Sequence, residues 1–141
     1  MSEFDPRTLL ATAKLGILAT IKRTGMPQLS PVTHYYDLES ETIYVSMTEG
    51  RAKVANLRRD PRAALEATAP DGWSWATAEG SATLIGPSTD PNGPEVEALV
   101  DYYRAAAGEH PDWQEYREVM VSDRRVLLKL SVERVYGESL R

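Results

Sequence analysis

The sequence contains no cysteine, which excludes disulfide frameworks, thiolate metal sites and thiol-based redox chemistry. Its two histidines, His34 and His110, lie far apart in the chain, so no histidine-built metal centre is expected. No apolar run reaches the roughly 20 residues that span a bilayer. The start, Met1-Ser2-Glu3-Phe4-Asp5, is acidic and lacks the basic flank and apolar centre of a signal peptide. The expectation is a soluble, cytoplasmic protein. There is no G-x-S-x-G, no P-loop, no G-x-G-x-x-G and no metal-ligand spacing. With no evident nucleophile, chemistry would have to be carried by a bound cofactor. A net charge of −5 argues against nucleic acid as the main partner, because phosphate-backbone binders present a basic face. A local basic cluster in an acidic chain can still hold one small anion.

What is present fits one domain spanning residues 1–141, long enough to bury a core. A helix is expected from Pro6 to Lys14, with Asp5 as N-cap and Pro6 at the first helical position. Leu15–Ile21 reads as a mostly buried strand, and Thr24-Gly25 as a turn into a second strand from Gln28 to Asp37. After Glu39-Ser40 comes a third strand, Thr42–Met47. Gly50 opens a helix over Arg51–Arg59 that Asp60-Pro61 stops. Strands Ala63–Thr68 and Trp73–Ile85 follow, joined through Pro70-Asp71-Gly72. Past a loop at Pro87–Pro94, Val96, Leu99, Val100 and Tyr103 recur at helical spacing, with Pro94 before them and Gly108 after. A helix from Pro111 to about Val121 and a long strand, Arg125–Tyr136, complete the chain. Six strands with late helices predict an α+β fold whose strands close into a small antiparallel barrel. Such a barrel is filled by its own side chains. A ligand would therefore sit outside it, where two subunits meet.

Three segments could carry chemistry. In Glu49-Gly50-Arg51-Ala52-Lys53, two cations occupy the first helical turn, against the helix dipole. Free backbone N–H groups and two cations there suit a phosphate; the alternative is a solvated basic helix face. Arg58 and Arg59, near the helix C-terminus, are assigned no function. In Gly25-Met26-Pro27-Gln28-Leu29-Ser30-Pro31, Gln28 and Ser30 share a strand face and could hydrogen-bond a planar heteroaromatic ring. Pro31 marks an edge strand or bulge, and ordinary solvated polar residues on such an edge are the alternative. Trp73 and Trp75, at i and i+2, form an apolar wall, either packing surface or cover for a ring. His34 could donate a proton or make structural hydrogen bonds, and His110 reads as a turn or cap residue.

These residues resemble a known family. Gly16-Ile17-Leu18-Ala19-Thr20, Gly25 to Ser30, Val45-Ser46-Met47 with Arg51-Ala52-Lys53, and Asn56 to Arg62 look like the pyridoxamine 5′-phosphate oxidase-like superfamily. Asp71-Gly72-Trp73, Ala78-Glu79-Gly80, Ala107 to His110 and Asp123 to Leu128 continue the likeness along nearly the whole chain. The resemblance is closest to the actinobacterial branch that uses the deazaflavin coenzyme F420. It implies a six-stranded antiparallel split β-barrel with peripheral helices, homodimeric, with two equivalent cofactor sites at the interface. Arg51, Ala52, Lys53 and Asn56 would hold the cofactor phosphate and tail. Gln28, Ser30, Pro31, Ser46 and Met47 would lie along the ring, and Trp73 and Trp75 would come from the partner subunit. Family members acting on pyridoxamine phosphate end in an Arg-x-His motif, which Ser131–Gly137 lacks, so that substrate is not implied. The implied activity is hydride transfer from reduced F420 to a conjugated acceptor of enone, quinone or tetrapyrrole type. The competing readings are an FMN-binding oxidoreductase of the same fold and a non-catalytic F420 carrier. No catalytic residue is identified.

Overall fold

The computed structural model describes residues 3–141; Met1 and Ser2, part of the acidic start read above, lie outside them. Asp5 caps the first helix, α1 (Pro6–Thr12), its carboxylate accepting from the Arg7 N–H at 2.9 Å. The helix stops short of Lys14, whose carbonyl instead accepts from the His34 N–H. Then come β1 (Leu15–Ile21), β2 (Pro27–Thr33), β3 (Tyr35–Asp37), β4 (Thr42–Thr48), α2 (Ala52–Arg59), β5 (Arg62–Thr68) and β6 (Ser74–Ile85). Helices α3 (Pro94–Ala107) and α4 (Trp113–Ser122) precede the last strand, β7 (Arg125–Ser139). The α+β class is as expected, but the sheet has seven strands, in the order β2-β1-β5-β6-β7-β4-β3.

The seventh strand arises at His34. The expected strand from Gln28 to Asp37 is one extended run, but it changes partner at His34, whose N–H makes the last bond on the β1 side, to the Lys14 carbonyl. On one side of it β2 pairs with β1, and on the other β3 pairs with β4. The two terminal strands of the sheet are therefore joined by a single residue, and the antiparallel sheet must curl until its edges meet. A register shift between Glu79 and Gly80 bends β6 against β7. Gly80 is required there, because a Cβ would collide with the Ser131 carbonyl.

Inside the curl, Leu18, Ile43, Val45, Met47, Leu65, Val126, Leu128 and Leu130 are packed with Leu10 of α1 and Val54 and Leu57 of α2. Outside it, α3 and α4 cover the β7–β4–β3 half, burying Val96, Leu99, Val100, Met120 and Leu127, and the Tyr116 hydroxyl donates to the Leu99 carbonyl at 3.0 Å. The other half of the outer face has no such cover. Strand β1 is consequently not mostly buried, as its apolar sequence suggested, but alternates: Leu18 is fully buried while Leu15 is 71% and Ile17 37% exposed.

Candidate functional site

Helix α2 begins where Gly50, at φ +92°, turns the chain out of β4. Arg51 is the N-cap, in extended conformation, with no side-chain capping hydrogen bond and no acid in the first turn. Helix geometry leaves the first N–H groups without intrahelical acceptors, and those of Ala52 and Lys53 find none elsewhere among the described residues. The structure divides the four cations here into two kinds. Arg58 pairs with Glu49 at 2.6 Å, and Arg59 donates to the Ile21 carbonyl at 3.0 Å and to Asn56 Oδ1 at 2.9 Å. Arg51 and Lys53 form no ion pair among the described residues. Lys53 is half-buried, and burial first, then the neighbouring Arg51 charge, holds its ammonium below the ordinary range. Two unneutralised cations beside free N–H groups are a site for an anion.

Asn56 lies differently from the place implied for it. It is 6% exposed, and its Nδ2 donates to Thr20 Oγ1 at 3.1 Å and to Gln28 Oε1 at 2.7 Å. Its Oδ1 accepts from Arg59 of the same helix, and both of its amide N–H groups are used in joining α2 to β1 and β2. Thr20 and Arg59 were not singled out in the sequence. A threonine at an inward position of β1, in line with Leu18, was the available signal.

Gln28 and Ser30 do share a face, the inner one that also carries Val32. The Gln28 carbonyl oxygen is held by Asn56, whereas Ser30 Oγ is buried with no hydrogen-bond partner. Pro31 is exposed on the opposite, outer face, paired with Ile17 on an edge strand. Ser46 and Met47 also point to opposite sides. Met47 is 2% exposed in the core, so its side chain cannot line a ring, while the half-buried Ser46 faces outward beside Leu127.

The tryptophans are at the other end. Trp73 precedes β6 rather than opening it, and is exposed in the β5–β6 turn. Trp75 makes an edge contact with Tyr136, ring centroids 5.9 Å apart, and Arg134 lies over Tyr136. The length of β5 stands between this turn and the end of α2, about 20 Å at the usual strand rise. His34 is 4% exposed; its Nε2 lies 2.9 Å from the Leu10 carbonyl and its Nδ1 has no partner. His110 Nδ1 accepts from the Asp112 N–H, as a turn residue would. Among the described residues no group of three or more acids and histidines is placed to hold a metal ion, and no helix is long and apolar enough to cross a membrane.

Comparison with known proteins agrees with this architecture. The family described as pyridoxamine 5′-phosphate oxidase matches residues 6–138. An F420H(2)-dependent biliverdin reductase of Mycobacterium tuberculosis is 27% identical over 135 residues, spanning 96% of this chain and 87% of the relative. A solved F420 reductase superposes with a TM-score of 0.64 at 23% identity, covering 96% of this chain and 98% of its own. A pyridoxamine 5′-phosphate oxidase-related, FMN-binding protein of Nostoc punctiforme has the same fold, with a TM-score of 0.68 at 17% identity over 96% and 80% of the two chains.

Proposed function

The chain belongs to the pyridoxamine 5′-phosphate oxidase family, and from that premise we propose that it is an F420-dependent reductase acting on a conjugated small molecule. The observation that carries the reading is the unpaired Arg51 and Lys53 at the start of α2. The relative named for F420H(2) dependence supports a deazaflavin in particular.

The residues present fit such a group. A phosphate would be taken by Arg51, Lys53 and the free N–H groups of Ala52 and Lys53. The partnerless Ser30 Oγ is a polar atom still able to bond a heteroaromatic edge. Asn56, by fixing the Gln28 oxygen, would leave the Gln28 amide N–H groups to do the same. When bound, reduced F420 supplies a two-electron hydride donor that reacts poorly with oxygen. The chain's own part is to anchor the tail, orient the ring and exclude water from the transfer.

The bare outer face of β1, β2 and β5 supports a homodimer. Ile17, Leu29, Pro31, Ala19 and Ala64 form a contiguous apolar surface there, with Leu29 65% exposed. A second copy seated on it would cover this surface and bring its own Trp73 and Trp75 to the cofactor groove.

The test is a titration of cofactor-free protein with F420 and, separately, with FMN. Tighter binding of F420, followed by oxidation of reduced F420 by a quinone or enone in air with negligible peroxide, supports the reductase. Tighter FMN binding with peroxide formation moves the reading to a flavin oxidoreductase. Tight F420 binding without turnover over a broad acceptor panel makes the protein a carrier.

A further inference from the structure

Basic side chains are concentrated at one end of the barrel. Three segments meet there: the β1–β2 hairpin, residues 22–26; α2 with its flanks, residues 49–62; and the α4–β7 connection, residues 123–125. Arg59 donates to the Ile21 carbonyl beside the hairpin, and the Glu49 N–H donates to the Arg124 carbonyl at 2.9 Å. Together they hold nine of the 16 lysines and arginines but three of the 21 acids, in a chain of net charge −5. Each of those acids is matched within the group, Glu49 by Arg58, Asp60 by Arg62 and Asp123 by Arg125. Lys22, Arg23, Arg51, Lys53, Arg59 and Arg124 have no carboxylate partner among the described residues. Charge is screened over about 8 Å at physiological ionic strength, so this local excess, not the net charge, decides what docks here.

The shape of this end suits a flat partner. Helix α2 turns Val54, Asn56 and Leu57 inward and leaves Ala52 and Ala55 exposed between Arg51 and Arg58. Small side chains thus lie between the outward cations. At the hairpin, Met26 is 62% exposed, and its carbonyl accepts from the Lys22 N–H, which sets an apolar side chain beside Lys22 and Arg23. The exposed aromatic residues, Trp73 and Tyr136, lie before the start of β6 and near the end of β7, away from this end. Among the described residues no exposed ring stands here to stack on the bases of a single-stranded nucleic acid. Unpaired cations around one exposed methionine match a surface of anionic headgroups over an apolar layer.

We propose that this end of the barrel is a peripheral docking surface for an anionic lipid bilayer. Lys22, Arg23 and Arg124 meet the headgroup charge, and Met26 enters the boundary between headgroups and acyl chains. The contact is made on the membrane surface and needs no element that crosses it. It goes beyond the cofactor reading, since Lys22, Arg23, Met26 and Arg124 take no part in the anion site proposed at Arg51 and Lys53.

Cosedimentation of the full chain with vesicles tests the assignment. The vesicles are phosphatidylcholine alone or with roughly 30% phosphatidylserine, a strongly anionic surface. The protein should pellet with the anionic vesicles only, and raising salt from about 0.05 to about 0.5 M should release it. Lys22→Glu and Arg23→Glu should each weaken binding about fivefold or more, and Met26→Ser should weaken it severalfold. All three positions are exposed, so circular dichroism should be unchanged. Lys14→Glu makes the same charge change at an exposed site before β1, at the other end of the barrel, and should leave binding intact. Equal binding to both vesicle types, or no binding to either, overturns the proposal. So does an equal loss in Lys14→Glu. Salt-sensitive binding to a mixed-sequence DNA duplex without vesicle binding would assign this end to nucleic acid and overturn it as well.

Discussion

Asn56 of α2 donates to Gln28 of β2 across 2.7 Å, so the helix that starts with two unpaired cations is held to the strand that carries Ser30. The same amide bonds Thr20 and receives Arg59. Asn56→Ala leaves three polar groups without this partner and should destabilise the fold by about 1–3 kcal/mol. The loss would be read from the urea midpoint. A fall in cofactor affinity with the midpoint unmoved would instead make Asn56 a direct ligand contact.

Lys53 is expected to behave in the opposite way. It has no ion-pair partner to lose, so Lys53→Ala should keep the melting temperature. Its affinity for F420 should fall by about 1.5–3 kcal/mol, the loss of a charge-assisted hydrogen bond. Fluorescence titration measures the change. Equal affinities for variant and parent would return the α2 start to an ordinary solvated helix face.

The exposed Leu29 and Ile17 allow the proposed subunit contact to be tested by introducing a charge. Leu29→Glu places a carboxylate in the middle of the apolar surface and should give monomers at micromolar concentration by light scattering. Because Leu29 faces away from the core, the variant should remain folded by circular dichroism. A dimer that survives both Leu29→Glu and Ile17→Lys would locate the contact on another face.

His34 sets a pH dependence of stability. Burial pushes its imidazole below the ordinary value of 6.5, and the bond to the Leu10 carbonyl only partly opposes this. The unfolded chain therefore takes up a proton first as pH falls. The contribution of His34 is fully present above 6.5 and declines as pH drops from there towards the folded value. His34→Gln should flatten that part of the profile in urea melts between pH 5 and 7, about the range in which imidazoles titrate. An equally steep profile in the variant would assign the dependence to the carboxylates.

The sequence disclosed those features that depend on local rules. The Asp5–Pro6 helix start, the Gly25 and Gly72 turns and the α3 periodicity needed only neighbours along the chain, and their positions agree. The α2 start was legible because Arg51 and Lys53 contradict the helix dipole, a conflict visible without coordinates. What escaped was set by pairing across the sheet. Nothing local distinguishes His34 from Val32 or Tyr36 as the residue where pairing passes from β1 to β4. Asn56 and Lys53 are three residues apart, nearly one helical turn, yet one faces the interior and the other the surface groove. Met47 was grouped with Ser46 by sequence, and strand alternation sends them to opposite sides. Leu15 and Ile17 looked buried because apolar composition marks a covered face without saying whether this chain covers it.

The place of β7 governs how the protein can be made. The last of the seven strands in chain order is inserted between β6 and β4, deep in the sheet order rather than at its rim. Until it arrives, β3 and β4 have no neighbour towards β6, and the barrel core lacks Val126, Leu128 and Leu130. A nascent chain ending at Ser122 thus exposes two open strand edges and an unfilled interior. Native closure waits for β7 to emerge, and a chain still lacking it presents open edges on which other strands can pair.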